Sequence, residues 1–222
     1  MKNIQKALAL AISSLSGEHY EQSLDHFRLW FRIGQKYSQN HSDLIFDAIC
    51  GSRSKGSWSY GDLFRGHSIG PLIPRFVNDV ELDPVFAPYS AGLLSRFCAR
   101  VVQEFFDNNV ETMDTGADLA SLAFYVDVNL VACCANLGYI EEDMIRDYIL
   151  QSLISHSKLH DHQADALAIL FKIAGATFEA YVDPTIVDRC FQLLKNHTYK
   201  CVYSERIGLI QVGTFSVHKR WN

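Results

Sequence analysis

The sharpest chemical signal in this chain is Gly66-His-Ser68-Ile-Gly70, which matches the G-x-S-x-G elbow of serine hydrolases. That chemistry asks for a buried strand before the serine and a helix after it, so that a strained turn presents the hydroxyl. Aspartates and histidines follow downstream, in the order a triad would use. The flanks disagree. Trp58 to Arg65 is not a convincing buried strand, Pro71 follows at once, and nothing downstream alternates strand with helix as an α/β sheet would. The segment therefore reads as a loop running into a helix cap. Labelling of Ser68 by a fluorophosphonate, lost on Ser68→Ala, would establish the hydrolase instead.

A second candidate is His156-x-x-x-His160-x-His162 with Asp161, a donor set that could hold a metal. Spacings of four and two share no helix face, so a solvated loop is expected there, with Asp161 near a cap and no metal bound. The six cysteines are Cys50, Cys98, Cys133, Cys134, Cys190 and Cys201. None forms a C-x-x-C pair, and most fall on apolar helix faces, where a thiol behaves as a small hydrophobe. A reduced, intracellular setting fits them, and the sequons at Asn40 and Asn196 then carry no meaning.

Two basic groups remain. Arg53, Lys55, Arg65 and Arg75 lie on or beside one Gly- and Ser-rich stretch that also holds Trp58. Lys195, Lys200, Arg206, Lys219 and Arg220 collect near the end, with Trp221. Along one edge they could meet phosphates or an acidic partner; dispersed, they are ordinary solubilising charge. The two tryptophans could anchor a partner or pack on a neighbouring helix. The chain as a whole has 222 residues, 48% of them hydrophobic, with a formal charge of −5. That is enough for one continuous core or a short solenoid, and it excludes a strongly basic nucleic-acid binder. No stretch approaches the roughly 20 apolar residues of a membrane span. The apolar run Ala7–Ile12 is short for a signal peptide and keeps helical spacing through Ile4, Leu8, Ala11, Ile12 and Leu15.

The elements that would position these residues are helices throughout. Apolar periodicity predicts helices over about 3–14, from a Ser16 cap to Ile33, from a Ser42 cap through Ile49, and from about Pro71 to Val80. Asp83-Pro84 gives a cap-plus-proline signal, and a long helix then carries Leu93 to Phe106. Asn108 to Gly116 reads as a polar connector and Gly51–Gly61 as an exposed loop. Leu119, Leu122, Val126, Leu130, Cys133 and Leu137 form the next stripe, stopped by Gly138. Glu141 and Glu142 open a helix that would bury Ile145, Tyr148, Ile149, Ser152 and Leu153. Leu167, Leu170, Ala174, Phe178 and Tyr181 make a further stripe, and Asp183-Pro184 opens the helix with Val187, Cys190, Phe191 and Leu194. Sliding Ser121-Leu122-Ala123 onto Ala166-Leu167-Ala168 superimposes two helical hairpins at an offset of 45 residues. HEAT and armadillo repeats recur at roughly 40–47 residues. The expectation is an all-α fold, a right-handed α-solenoid of about five antiparallel helix pairs, in one domain over 1–222. Ile207–Val217 stays open between helix and strand.

Several segments, in order, resemble the middle domain of the eukaryotic initiation factor 4G family. Leu137-Gly-Tyr-Ile-Glu-Glu-Asp-Met-Ile to Leu153 is similar to its helix–turn–helix segment. Phe76 to Ala91 resembles its acidic-Pro-x-Phe turn and Tyr-Ala helix, and Ala166 to Leu194 its next hairpin. Ser204-Glu-Arg206-Ile, with Lys219-Arg220-Trp221, resembles its closing helix. The resemblance implies a five-repeat HEAT stack and a non-enzymatic scaffold, without cofactor, in translation or mRNA metabolism. Such a scaffold docks a DEAD-box RNA helicase or another translation or mRNA-decay factor on one edge, with RNA contact as an added role, in the cytoplasm or the nucleus. Arg53, Lys55, Arg65, Arg75, Arg206, Lys219, Arg220 and Trp221 are then the candidate residues for partner or RNA binding. A helical-repeat interaction module outside RNA metabolism is the alternative.

Overall fold

In the computed structural model, the chain divides into two compact units, Met1–Arg100 and Val101–Asn222. The structure describes residues 2–54, 69–114, 122–155 and 159–198, and every regular element among them is helical. No helix among these residues is long and apolar enough to cross a membrane.

The first unit holds α1 (Lys2–Ser13), α2 (Tyr20–Gly34), α3 (His41–Ser54), α4 (Ile69–Leu82) and the opening turns of α5 (Leu93–Asp114). Ile4, Leu8, Ala11 and Ile12 recur at helical spacing and are buried, with α1 packed on α2 and α3. The stripe Tyr20, Leu24, Phe27 and Phe31 is buried on α2. Its rings set the core. Phe27 lies 5.3 Å from Phe76 of α4, edge to face, and 5.5 Å from Phe86, and Phe31 lies 5.0 Å from Phe86.

Caps in this unit fall on other residues than expected. The Ser16 hydroxyl accepts the His19 amide in a turn ahead of α2, which begins only at Tyr20. Asn40, not Ser42, opens α3, its side-chain oxygen accepting the Asp43 amide at 3.2 Å. The expected loop from Gly51 is helical as far as Ser54. Asp83-Pro84 starts a turn rather than the long helix, with Asp83 Oδ1 accepting the Val85 amide and Oδ2 the Arg28 guanidinium. Glu81 caps α5 instead, accepting the Gly92 and Leu94 amides at 2.9 and 2.7 Å. The connector expected over 108–116 is helical to Asp114, because Asn108–Asp114 holds no proline or glycine to break a helix already nucleated upstream.

The second unit continues α5 and adds α6 (Leu122–Asn136), α7 (a π-helical run Met144–Leu150 continued by Gln151–Ile154), α8 (Asp161–Tyr181) and α9 (Pro184–Thr198). α6 packs on α8, α8 packs on α9, and α7 touches both α8 and α9. Gly138 ends α6 at φ +73°, with the Tyr139 amide reaching the Cys134 carbonyl and the Gly138 amide that of Ala135. That is the Schellman arrangement its position predicts. Asp183 caps α9 through the Thr185 amide at 2.8 Å, with Pro184 as first helical residue.

Three expectations change here. Met144–Leu150 is π-helical rather than α-helical and buries Ile145, Ile149 and Leu150, with Leu153 and Ile154 buried on the α-helical turn that follows. Leu137 and Tyr181, assigned to buried stripes, are exposed. The segment expected to be a solvated loop ends in a helix: α8 starts at Asp161, and each residue from His162 to Phe171 is buried. α6 is likewise buried at every position from Asp127 to Ala135. The 207–217 tail lies outside the described residues.

Candidate interaction site

Of the eight candidate residues, only Arg75 has a described side chain. Arg53 sits in the last turn of α3, and Lys55, Arg65, Arg206, Lys219, Arg220 and Trp221 lie outside the described residues. So do Ser68, Trp58 and His156. Arg75 projects from α4 over the Tyr20 ring, 5.0 Å from its centre, with Nε 3.8 Å from Asp79 Oδ2. The Tyr20 hydroxyl donates to that same oxygen at 2.6 Å. Burial, with the Asp79 hydrogen bond, pushes the phenol far above its ordinary pKa. Arg75 thus faces a local carboxylate and ring.

Charge is distributed very unevenly. Residues 101–198 carry 15 Asp and Glu against five Lys and Arg, whereas residues 1–100 carry nine against 11. The whole-chain value of −5 conceals this. Two of those five cations are engaged locally. Arg146 bonds Asp147 at 2.7 Å and Asp143 at 2.8 Å, and Arg189 donates to the Ile154 carbonyl. Hydrogen bonds hold two carboxyls below their usual range: Asp147 through Arg146, and Asp183 through the Thr185 hydroxyl and amide.

Beside α9 the second unit opens a groove of about 240 Å³, lined by Glu179, Pro184, Val187, Asp188 and Phe191. Local sequence builds it. α8 leaves helical geometry at Ala174 (φ −118°, ψ 15°), which redirects its last turns, and Asp183-Pro184 starts α9 almost at once. Val187 is buried and Phe191 half-buried, its ring 4.7 Å from Phe171. Glu179 and Asp188 are exposed. The result is an apolar floor with carboxylates at the rim. Its volume falls below the roughly 300–1,000 Å³ of small-molecule sites, and suits inserted side chains.

Polar contacts link the helices of this unit. The Tyr125 hydroxyl of α6 donates to Asp165 of α8 at 2.9 Å, and His197 Nε2 of α9 lies 3.0 Å from Asp161. His162 stacks on His160, with ring centres 5.7 Å apart, and meets Phe124 edge-on at 5.6 Å. Its Nε2 is buried without a hydrogen-bond partner, and burial lowers its pKa to about 4. The ring is neutral at neutral pH. Among the described residues no His, Cys, Asp or Glu group is placed to hold a metal. Burial pushes the Cys133 and Cys190 thiols up to about 12, so both are protonated and poorly nucleophilic.

Compared with protein-family models, with curated proteins and with solved structures, the chain matches none. Its own residues carry the functional argument. The groove could have been approached from sequence by counting charge in segments rather than over the whole chain. Val187 and Phe191, by contrast, are indistinguishable from core residues in a periodic pattern.

Proposed function

We propose that this protein is a non-enzymatic scaffold of the helical-repeat kind, working by holding another macromolecule. The observation that carries this reading is the continuous burial of α6 from Asp127 to Ala135 and of α8 from His162 to Phe171. A helix apolar around its whole circumference needs neighbours on every flank, as a helix inside a stack has them. The 45-residue offset between these two helices and their direct packing support a solenoid of HEAT type. The ordered resemblance to the factor 4G middle domain points to a DEAD-box RNA helicase, or another translation or mRNA-decay factor, as the partner.

The test is retention of a purified translation-initiation DEAD-box helicase on the immobilised full chain, after nuclease treatment. Stoichiometric retention is expected. If neither that helicase nor any translation or mRNA-decay factor is retained, the RNA-metabolism reading fails. A second reading, an interaction module outside RNA metabolism, draws on the acidic balance of residues 101–198. That balance repels phosphate backbones and favours protein partners over RNA along residues 101–198.

A further inference from the structure

We infer that the α8–α9 groove seats a basic peptide segment of a partner protein, one that inserts an apolar side chain between flanking lysines or arginines. The inference rests on the scaffold reading and adds the site and the chemistry of what it holds. Three observations converge on it. The floor is apolar, made by Pro184, Val187 and Phe191, and its volume of about 240 Å³ has room for protein side chains. The rim carries Glu179 and Asp188, both exposed, and Asp183 lies at the turn between the two helices. Over residues 101–198, 15 Asp and Glu outnumber five Lys and Arg, a balance that attracts cationic partners.

An apolar pocket edged by carboxylates discriminates in a definite way. The apolar side chain supplies the desolvated centre, where most binding energy concentrates. The carboxylates act on approach and on selection. They attract a cationic segment, reject an acidic one, and repel nucleic acid. Because the carboxylates sit at the edge rather than the floor, their contribution is screened by salt over about 8–10 Å, while the apolar anchor is not. Binding should therefore weaken with added salt without vanishing.

The probe is a random-peptide phage library selected on the full chain. Peptides with a bulky apolar residue flanked by Lys or Arg should enrich. A synthetic copy of the best of them should bind E179K/D188K about tenfold more weakly than the parent chain. Both substitutions are at exposed positions, so folding should survive, and circular dichroism checks it. A charge-swapped peptide carrying Glu for Lys should regain affinity for the double variant, which loss of folding could not mimic. Enrichment of acidic or uncharged peptides, no enrichment at all, or equal binding to both chains would overturn the inference. So would groove-dependent binding of a single-stranded RNA oligonucleotide in place of peptide. If the helicase is retained by parent and double variant alike, the scaffold reading stands and the assignment of this groove falls.

Discussion

Phe27 in the first unit meets its neighbours ring to ring, while Leu167 in the second sits on a helix with no solvent-facing side along that stretch. The contrast extends outward. α2 presents a clean buried stripe and an opposite exposed face, and residues 1–100 are close to charge balance. α6 and α8 bury Asp127, Asn129, His162, Gln163 and Asp165 along with their apolar neighbours, and residues 101–198 carry 15 Asp and Glu against five Lys and Arg. Rings with preferred geometries can specify a core from a few contacts. Along their enclosed stretches these helices cannot keep polar residues in water, so Asp165 turns to Tyr125, while His162 Nε2 stays without a hydrogen-bond partner. The second unit thus combines a demanding interior with an acidic balance over residues 101–198.

The largest expected effect contrasts the two cores. Phe27→Ala removes a fully buried ring from between Phe76 and Phe86 and should destabilise the first unit by about 3–5 kcal/mol. Leu167→Ala in the second should cost about 2–4 kcal/mol, as a smaller side chain leaves a smaller cavity. Chemical denaturation followed by circular dichroism, with hydrogen exchange assigning the loss to each unit, measures both. A Phe27→Ala loss below that of Leu167→Ala would show that the ring cluster is not what specifies the first core.

The next effect belongs to the second unit and depends on pH. His162 has a pKa of about 4 in the folded chain against 6.5 when free. Between those values the unfolded chain binds the proton and the folded chain does not. The contribution is full above pH 6.5 and is lost as pH falls toward 4, by on the order of 2 kcal/mol. His162→Leu removes both the titration and the unpartnered Nε2, and should flatten this part of the profile without large loss at neutral pH. Denaturation midpoints for both proteins across that window decide it. Parallel profiles would mean that the imidazole reaches a compensating partner when it protonates.

Much of the helical framework was legible in the sequence. The Ile4–Leu15 spacing gives α1, Gly138 gives the end of α6, and Asp183-Pro184 gives the start of α9, because each rests on chemistry local to a few residues. The misses depend on contacts distant in sequence or on choices that periodicity cannot make. Ile149 and Leu150 fit a four-residue or a five-residue turn equally, so the π-helical run left no separate signature. His162 looks like a loop residue until Phe124, 38 positions earlier, covers it. Glu81 caps α5 from 13 residues before Leu94, beyond any local capping pattern. The groove was hidden for the same reason, since its floor residues read as core and its rim as ordinary surface charge.

The smallest effect places the same backbone change in each unit. Gly92 and Gly138 are the two described glycines at positive φ, +69° and +73°, one in each unit. A Cβ at either meets nothing within 4 Å, so substitution adds no clash with a neighbour. What remains is the cost of placing an L-residue in the left-handed region, about 1 kcal/mol at each site. Gly92→Ala and Gly138→Ala should therefore destabilise their own units by similar amounts, although the two interiors differ so much in kind. Hydrogen exchange at the amides these turns support, Arg96 onto the Gly92 carbonyl and Tyr139 onto that of Cys134, reads each loss separately. Gly→Asn at the same positions should recover part of it, since asparagine tolerates this conformation better than alanine does. A clear excess at Gly138 would mean that the enclosed helix α6 tolerates adjustment at its end less well than α5 tolerates it at its start, carrying the contrast between the units from side chains to backbone.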